Sequence, residues 1–269
     1  MNPIGLASGV LPEFDAATVV RAAHTAGFDL AGLWVDPAEW TASHTVATRH
    51  ALADTGIGVI DVEVLWFREG ATLADHRAIL DVGLELGAPN ALCVSSDPDH
   101  GKTAEWFAQL CRHVEGTPLR VNFEFGWFSS VHDLAEAKAI VESVDHPNAA
   151  ILIDPIHVDR SSTPIADIAA LDRSLISYAQ FCDASAQRPD VHDWLVDEGL
   201  RFLPAVNWVE RGRAGDGNSV PRYHVVWGTA RELVIRLGEA MRRARDSACI
   251  RSKPEARTST SGRLMRLRR

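Results

Sequence analysis

Val121-Asn122-Phe123-Glu124-Phe125-Gly126-Trp127 is an apolar run of strand character with one carboxylate set between two phenylalanines. Roughly one βα unit later, Ala150-Ile151-Leu152-Ile153-Asp154-Pro155 repeats the plan: an apolar run closed by an acid. Similar runs lie on either side, at Ile4–Ser8, Leu30–Val35, Gly58–Leu65, Ala91–Ser96, Leu119–Phe125, Ala150–Asp154 and Ile176–Cys182. Many are apolar on both faces, as strands of a buried parallel sheet must be.

Helical signals fill the gaps. Asp15 caps a stripe of Val19, Val20 and Ala23 that ends at Gly27, and Thr72 opens one through Leu80 and Leu84 that ends at Gly87. Thr103 precedes Phe107, Leu110, Cys111 and Val114, ending at Gly116, and Ser130 precedes Leu134, Ala137 and Val141. Spacings of three and four give each helix one buried stripe. Regular βα units predict either an eight-stranded (β/α)8 TIM barrel or a doubly wound open sheet. No G-x-G-x-x-G follows the first run and no G-x-x-x-x-G-K-S/T occurs, so the α/β barrel is favoured. Barrel chemistry gathers at the C-terminal ends of strands.

A chain of 269 residues, 46% hydrophobic and 23% charged, holds ample apolar material for one such core. No apolar run reaches the length of a membrane span, and no secretory signal opens the chain. Cys93, Cys111, Cys182 and Cys249 form no C-x-x-C pair, which fits a reduced, cytoplasmic protein. Of 27 Lys+Arg and 36 Asp+Glu, residues 218–269 carry 13 and 4, so an acidic body is joined to a basic end. The acidic body would repel a phosphate backbone, which argues against nucleic acid as the partner. A membrane partner is not expected, and homo-oligomerisation stays open.

Strand alternation points Glu124 opposite to Phe123 and Phe125. If that face is the barrel mouth, the carboxylate needs a partner or a metal ion; its alternative reading is a salt-bridged acid with no catalytic role. Asp154 ends the next strand; its alternative reading is a turn-forming Asp before proline. Two hard oxygen donors converging at a mouth suit Mg²⁺ or Mn²⁺. His157 follows Asp154 by three. Gln180 and Asp183 close the seventh run. Glu63 and Trp66 close the third, as lining or as packing. Arg160, Arg211 and Arg213 are candidates for an anionic substrate group.

These residues resemble the sugar phosphate isomerase/epimerase family, the xylose-isomerase-like barrels. The likeness runs over residues 1–217. It rests on Ala22-Ala23-His24-Thr25-Ala26-Gly27-Phe28-Asp29, the strand carrying Glu124, Asp154-Pro155-Ile156-His157-Val158-Asp159-Arg160, Gln180-Phe181-Cys182-Asp183 and Arg213-Ala214-Gly215-Asp216-Gly217. The resemblance implies one divalent ion, Mg²⁺ or Mn²⁺ before Co²⁺ or Zn²⁺, on Glu124, Asp154 and Gln180, with Gln180 standing where the family usually has a histidine. It implies His157 and Arg213 as substrate contacts, joined by Arg160, Glu63 and Trp66. It further implies a carbohydrate substrate and proton transfer next to a carbonyl through an enediolate, with Glu124 as the acid/base group. A metal-dependent dehydratase on the same site is the competing chemistry.

The pattern breaks after Gly217. The family's last glutamate ligand has no counterpart: Tyr223–Trp227 reads as a strand with no acid behind it, and Glu232 and Glu239 fall in a helix-like stretch. Residues 218–251 are therefore expected to form an atypical last βα unit, and 252–269 a basic, disordered tail. Two readings account for the charge reversal and the lost pattern: a frameshifted reading of an ancestral end, or a divergent tail that binds an acidic partner or folds back on the acidic body; translating the other two reading frames tests the first. A non-catalytic relic is the reading that follows if the fourth ligand is truly lost.

Overall fold

A computed structural model of the chain describes residues 3–11, 14–126 and 129–181. The expectations for residues 218–251, for the tail and for Asp183, Arg211 and Arg213 lie outside the described residues.

Six strands run in chain order: β1 (Gly5–Leu6), β2 (Leu30–Trp34), β3 (Gly58–Phe67), β4 (Asn90–Ser95), β5 (Arg120–Glu124) and β6 (Ala149–Leu152). All neighbours are parallel, and the sheet order is β1-β2-β3-β4-β5-β6. An order without reversal belongs to a barrel; a doubly wound sheet switches direction part-way. Beyond β6, Ile153 bridges Ala179 in parallel, which sets the chain around Gln180 where a seventh strand belongs.

The curl of the sheet can be measured. The Tyr178 hydroxyl donates to Asp61 Oδ2 on β3 at 2.7 Å. In a flat sheet the Tyr178 strand and β3 would be four spacings apart, about 19 Å. Only a sheet wrapped around a lumen brings them together. The structure is the α/β TIM barrel that the sequence predicts.

Helices α1 (Ala16–Ala26), α2 (Ala42–Thr55), α3 (Leu73–Leu86), α4 (His100–His113) and α5 (Leu134–Val144) cover the outside, followed by the short α6 (Pro155–Arg160) and α7 (Ile165–Ala169). Asp15 caps α1 by accepting the Thr18 amide, and Gly27 closes it at φ 80°. Thr72 and Gly87 bracket α3. Two expected starts are corrected. Asp99 caps α4, while Thr103 lies buried inside it and shares a 2.8 Å hydrogen bond with Ser95 of β4. Asp133, not Ser130, caps α5. In both cases an Asp stands directly before the first turn and accepts an amide of that turn, whereas Thr103 lies inside α4 and Ser130 three residues ahead of the α5 cap. Helix α2 leaves no aliphatic stripe in the sequence, because its buried face is Thr45, Thr48 and Ala51.

Two cores result. Strand outer faces and helices enclose a large one that includes Val62, Leu65, Phe107, Phe123, Phe125 and Ile151. A small one fills the lumen: Ile60, Leu92, Val94, Leu152 and Tyr178, with Leu30, Val64 and Trp66 packed against it. Strand β3 serves both cores through two register shifts. One lies opposite Ala31/Gly32 and the other between Val62 and Leu65. Each admits one extra residue. Ile60 and Asp61 therefore both contact lumen groups, as do Glu63 and Val64.

Candidate metal centre

Glu124 is the last residue of β5, paired with Leu152 of β6. Phe123 and Phe125 beside it are fully buried in the outer core, so the carboxylate faces the lumen. Asp154 lies two residues past Leu152 and so shares its face. The chain turns there because Asp154 caps α6: its Oδ1 accepts the Ile156 amide at 2.9 Å, with Pro155 at the first helical position. The run Ala150–Asp154 thus ends as a strand at Leu152, and Asp154 is both cap and lumen residue. One turn of α6 carries His157 back over the site. Its Nε2 stands 3.6 Å from Glu124 Oε1, beyond hydrogen-bond range.

Glu124, Asp154 and His157 are all buried, and one donor atom from each lies within 4.8 Å of the others. Burial pushes the Glu124 carboxyl well above the usual range, and Asp154, Glu63 and Asp61 add like-charge repulsion. Burial pushes His157 down, toward the neutral imidazole. Among the described residues, no Lys or Arg forms an ion pair with Glu124, Asp61 or Glu63. Two carboxylate oxygens and a neutral imidazole, converging with negative charge left over, are a donor set that fits a divalent cation.

A second acidic group lies across the mouth. Asp61 and Glu63 of β3 are 1% and 6% exposed. Burial raises Asp61 to about 6, and burial followed by the Asp61 charge raises Glu63 well above its ordinary value. Both have donors. Tyr178 donates to Asp61, and Ser8 Oγ to Glu63 Oε2 at 2.8 Å. Gln180 Nε2 reaches Asp61 Oδ2 at 3.3 Å and Glu63 Oε1 at 3.0 Å. Gly32 makes this packing feasible: a Cβ there would stand 2.6 Å from Asp61 Oδ1 and 3.0 Å from the Ser8 amide nitrogen.

The structure therefore brings Glu124, Asp154 and His157 together, with Gln180 and Glu63 beside them. Trp66 is half-buried; its Nε1 donates to Ser96 Oγ at 2.8 Å, and the Arg68 guanidinium sits 4.9 Å above its ring. Arg160 is buried and pairs with Asp159 at 2.5 Å. Three participants were missed in the sequence: Asp61, Ser8 and Tyr178. Asp61 left a usable signal, since an Asp and a Glu two apart in an apolar strand share a face. Ser8 and Tyr178 left none, because Tyr178 meets β3 only through barrel closure and Ser8 only across the gap left by Gly32 on β2.

No family model matches the chain. Solved structures do. A xylose isomerase-like TIM barrel/4-hydroxyphenylpyruvate dioxygenase fusion protein superposes with a TM-score of 0.62 at 20% identity, over 72% of this chain and 33% of that one. D-psicose 3-epimerase from Clostridium cellulolyticum H10, solved with D-tagatose, gives 0.59 at 13% identity over 90% and 98%. The IOLI protein, solved with a zinc atom, gives 0.58 at 13% over 90% and 97%. Among curated sequences, a KsdD-like steroid dehydrogenase of Mycolicibacterium smegmatis is 48% identical over 61 residues, which is 22% of this chain and 11% of that protein. The chain thus spans about a tenth of the dehydrogenase. Strand order, lumen contacts and these superpositions agree: the chain has the fold of the xylose isomerase-like TIM barrels.

Proposed function

We propose that the chain is a divalent-metal-dependent isomerase or epimerase of a sugar or sugar phosphate, acting by proton transfer next to a carbonyl. The observation that carries this reading is the buried Glu124–Asp154–His157 cluster at the strand ends of a barrel. The likeness to an epimerase solved with D-tagatose and to a zinc-holding barrel supports it.

In this reading Glu124, Asp154 and His157 hold the ion, so His157 moves from substrate contact to ligand. A bound divalent ion supplies Lewis-acid stabilisation of negative charge developing on substrate oxygens. Glu124 removes and returns the carbon-bound proton. Its surroundings suit the task, because burial and neighbouring acids raise its proton affinity above that of an ordinary carboxylate. Trp66 and Arg160 line the approach, and Arg213 is proposed to contact an anionic group of the substrate. Residues 1–217 are proposed as the barrel unit, with a carbohydrate substrate met in the cytoplasm.

Incubating the protein with candidate ketoses and Mn²⁺ in D₂O tests the reaction. Carbon-bound deuterium gained without loss of water is the expected result for an epimerase. Loss of water from the sugar identifies the dehydratase instead. No exchange with any ketose, in a protein that does bind Mn²⁺, would overturn the proton-transfer reading.

A further inference from the structure

The Asp61–Glu63 pair has no place in the chemistry just described, yet it is built with care. Each acid accepts from a hydroxyl, Tyr178 or Ser8, and each accepts from the same amide nitrogen, Gln180 Nε2. A primary amide has two N–H groups on one side and a carbonyl oxygen on the other. Both carboxylates, when ionised, engage the nitrogen, which turns the carbonyl oxygen away from them. Among the described residues, Gln180 Oε1 accepts no hydrogen bond.

Backbone register supplies the second observation. Ile153 bridges Ala179, and the Gln180 amide donates to Ile153 O at 3.2 Å. Parallel pairing then sets Gln180 beside Asp154, on the same lumen face. Gln180 therefore stands between the acid pair of β3 and the Glu124–Asp154–His157 cluster. A carboxylate at position 180 would face Asp61 and Glu63 with no proton to give. An imidazole has one N–H when it also offers a lone pair. An amide gives two N–H bonds on one side and keeps an oxygen for the other.

We infer that Asp61 and Glu63 are positioning residues: they lock the Gln180 amide with its nitrogen turned away from the cation, so that Oε1 becomes a further ligand. The inference rests on the metal-site reading above. It explains why two acids are buried on β3 with donors of their own, and why an amide occupies position 180. Partners that orient a ligand without touching the ion commonly change metal affinity by roughly 10- to 100-fold when removed.

The test measures Mn²⁺ affinity by calorimetry on the full chain. Glu124→Gln abolishing binding establishes the metal site itself. Given that, Glu63→Gln brings a second amide nitrogen against Gln180, favours the flipped amide and weakens Mn²⁺ by roughly 10- to 100-fold. Adding Asp61→Asn and Gln180→Glu to Glu63→Gln restores affinity, because residue 180 then accepts from two amides and still ligates. Unchanged affinity in Glu63→Gln, or no rescue by the triple substitution, overturns the positioning role while leaving the metal site standing. Absence of any Mn²⁺ binding by the wild type overturns both. A measurement on the wild type alone guards against misfolded variants. On adding Mg²⁺, the side-chain carbonyl carbon resonance of Gln180 shifts while its NH₂ protons stay in place. Mg²⁺ binding with that carbon unmoved contradicts the inference.

Discussion

Two acidic groups face each other across the lumen, and they are finished differently. On β3, Asp61 and Glu63 each accept from a hydroxyl and from Gln180. On β5, the one ion-pair contact of Glu124 among the described residues is with His157 at 3.6 Å, and Asp154, Glu63 and Asp61 only repel it. A buried carboxylate is costly unless donors or a cation compensate it. The protein supplies the β3 pair with donors of its own, although Asp61 Oδ1 stays buried without a hydrogen-bond partner among the described residues. Among those residues Glu124 has no such donor, and that difference separates residues serving the architecture of the site from residues waiting for something to bind.

The sharpest way to break the comparison is Glu124→Gln. Shape is kept while the charge and the proton acceptor are lost. Turnover is expected to fall by roughly 10²–10⁴-fold, and the Mn²⁺-induced rise in melting temperature to vanish. An unchanged thermal shift would mean that Glu124 is merely a strained structural acid.

A buried titratable group away from both clusters calibrates their pH behaviour. His76 packs against the rings of Phe67 and Trp106, with centroids 5.2 and 5.8 Å away, and neither ring nitrogen has a hydrogen-bond partner among the described residues. Burial lowers it to about 4 from 6.5. Its folded-state value is thus depressed, and between these two values the unfolded chain binds the proton more readily. The stability is fully present above pH ~6.5 and is lost as pH falls toward ~4, on the order of 2–3 kcal/mol. His76→Phe should remove that part of the acid slope in urea melts at pH 4–7. An identical slope would move the acid sensitivity to the lumen.

Tyr178→Phe sharpens the other side. Asp61 keeps Gln180 and loses its hydroxyl donor, so the fold should weaken by about 1–3 kcal/mol while Mn²⁺ affinity falls far less than in Glu124→Gln. Equal losses of both would erase the distinction between the two groups.

Much of this molecule was legible because its signals are local. Asp15 with Gly27, and Thr72 with Gly87, announce helices through single-residue capping chemistry. Glu124 announces itself through the phenylalanines on either side. What stayed hidden depends on distance along the chain or on broken periodicity. The β3 register shifts put Ile60 beside Asp61 in the lumen, which strict alternation forbids. Tyr178 and Ser8 reach β3 across 117 and 55 residues of sequence. The polar helix α2 buries threonines, which a search for aliphatic stripes passes over. His157 carries no inward-facing signal of its own, because the six-residue α6 that aims it inward is set by one cap and one proline.

The central claim is that Glu124, Asp154 and His157 hold a divalent ion. Crystals soaked in Mn²⁺ and measured for anomalous scattering test it most directly. The account predicts one strong anomalous peak among Glu124, Asp154 and His157, with Gln180 Oε1 turned toward it. Saturating Mn²⁺ with no peak at these three residues would contradict it.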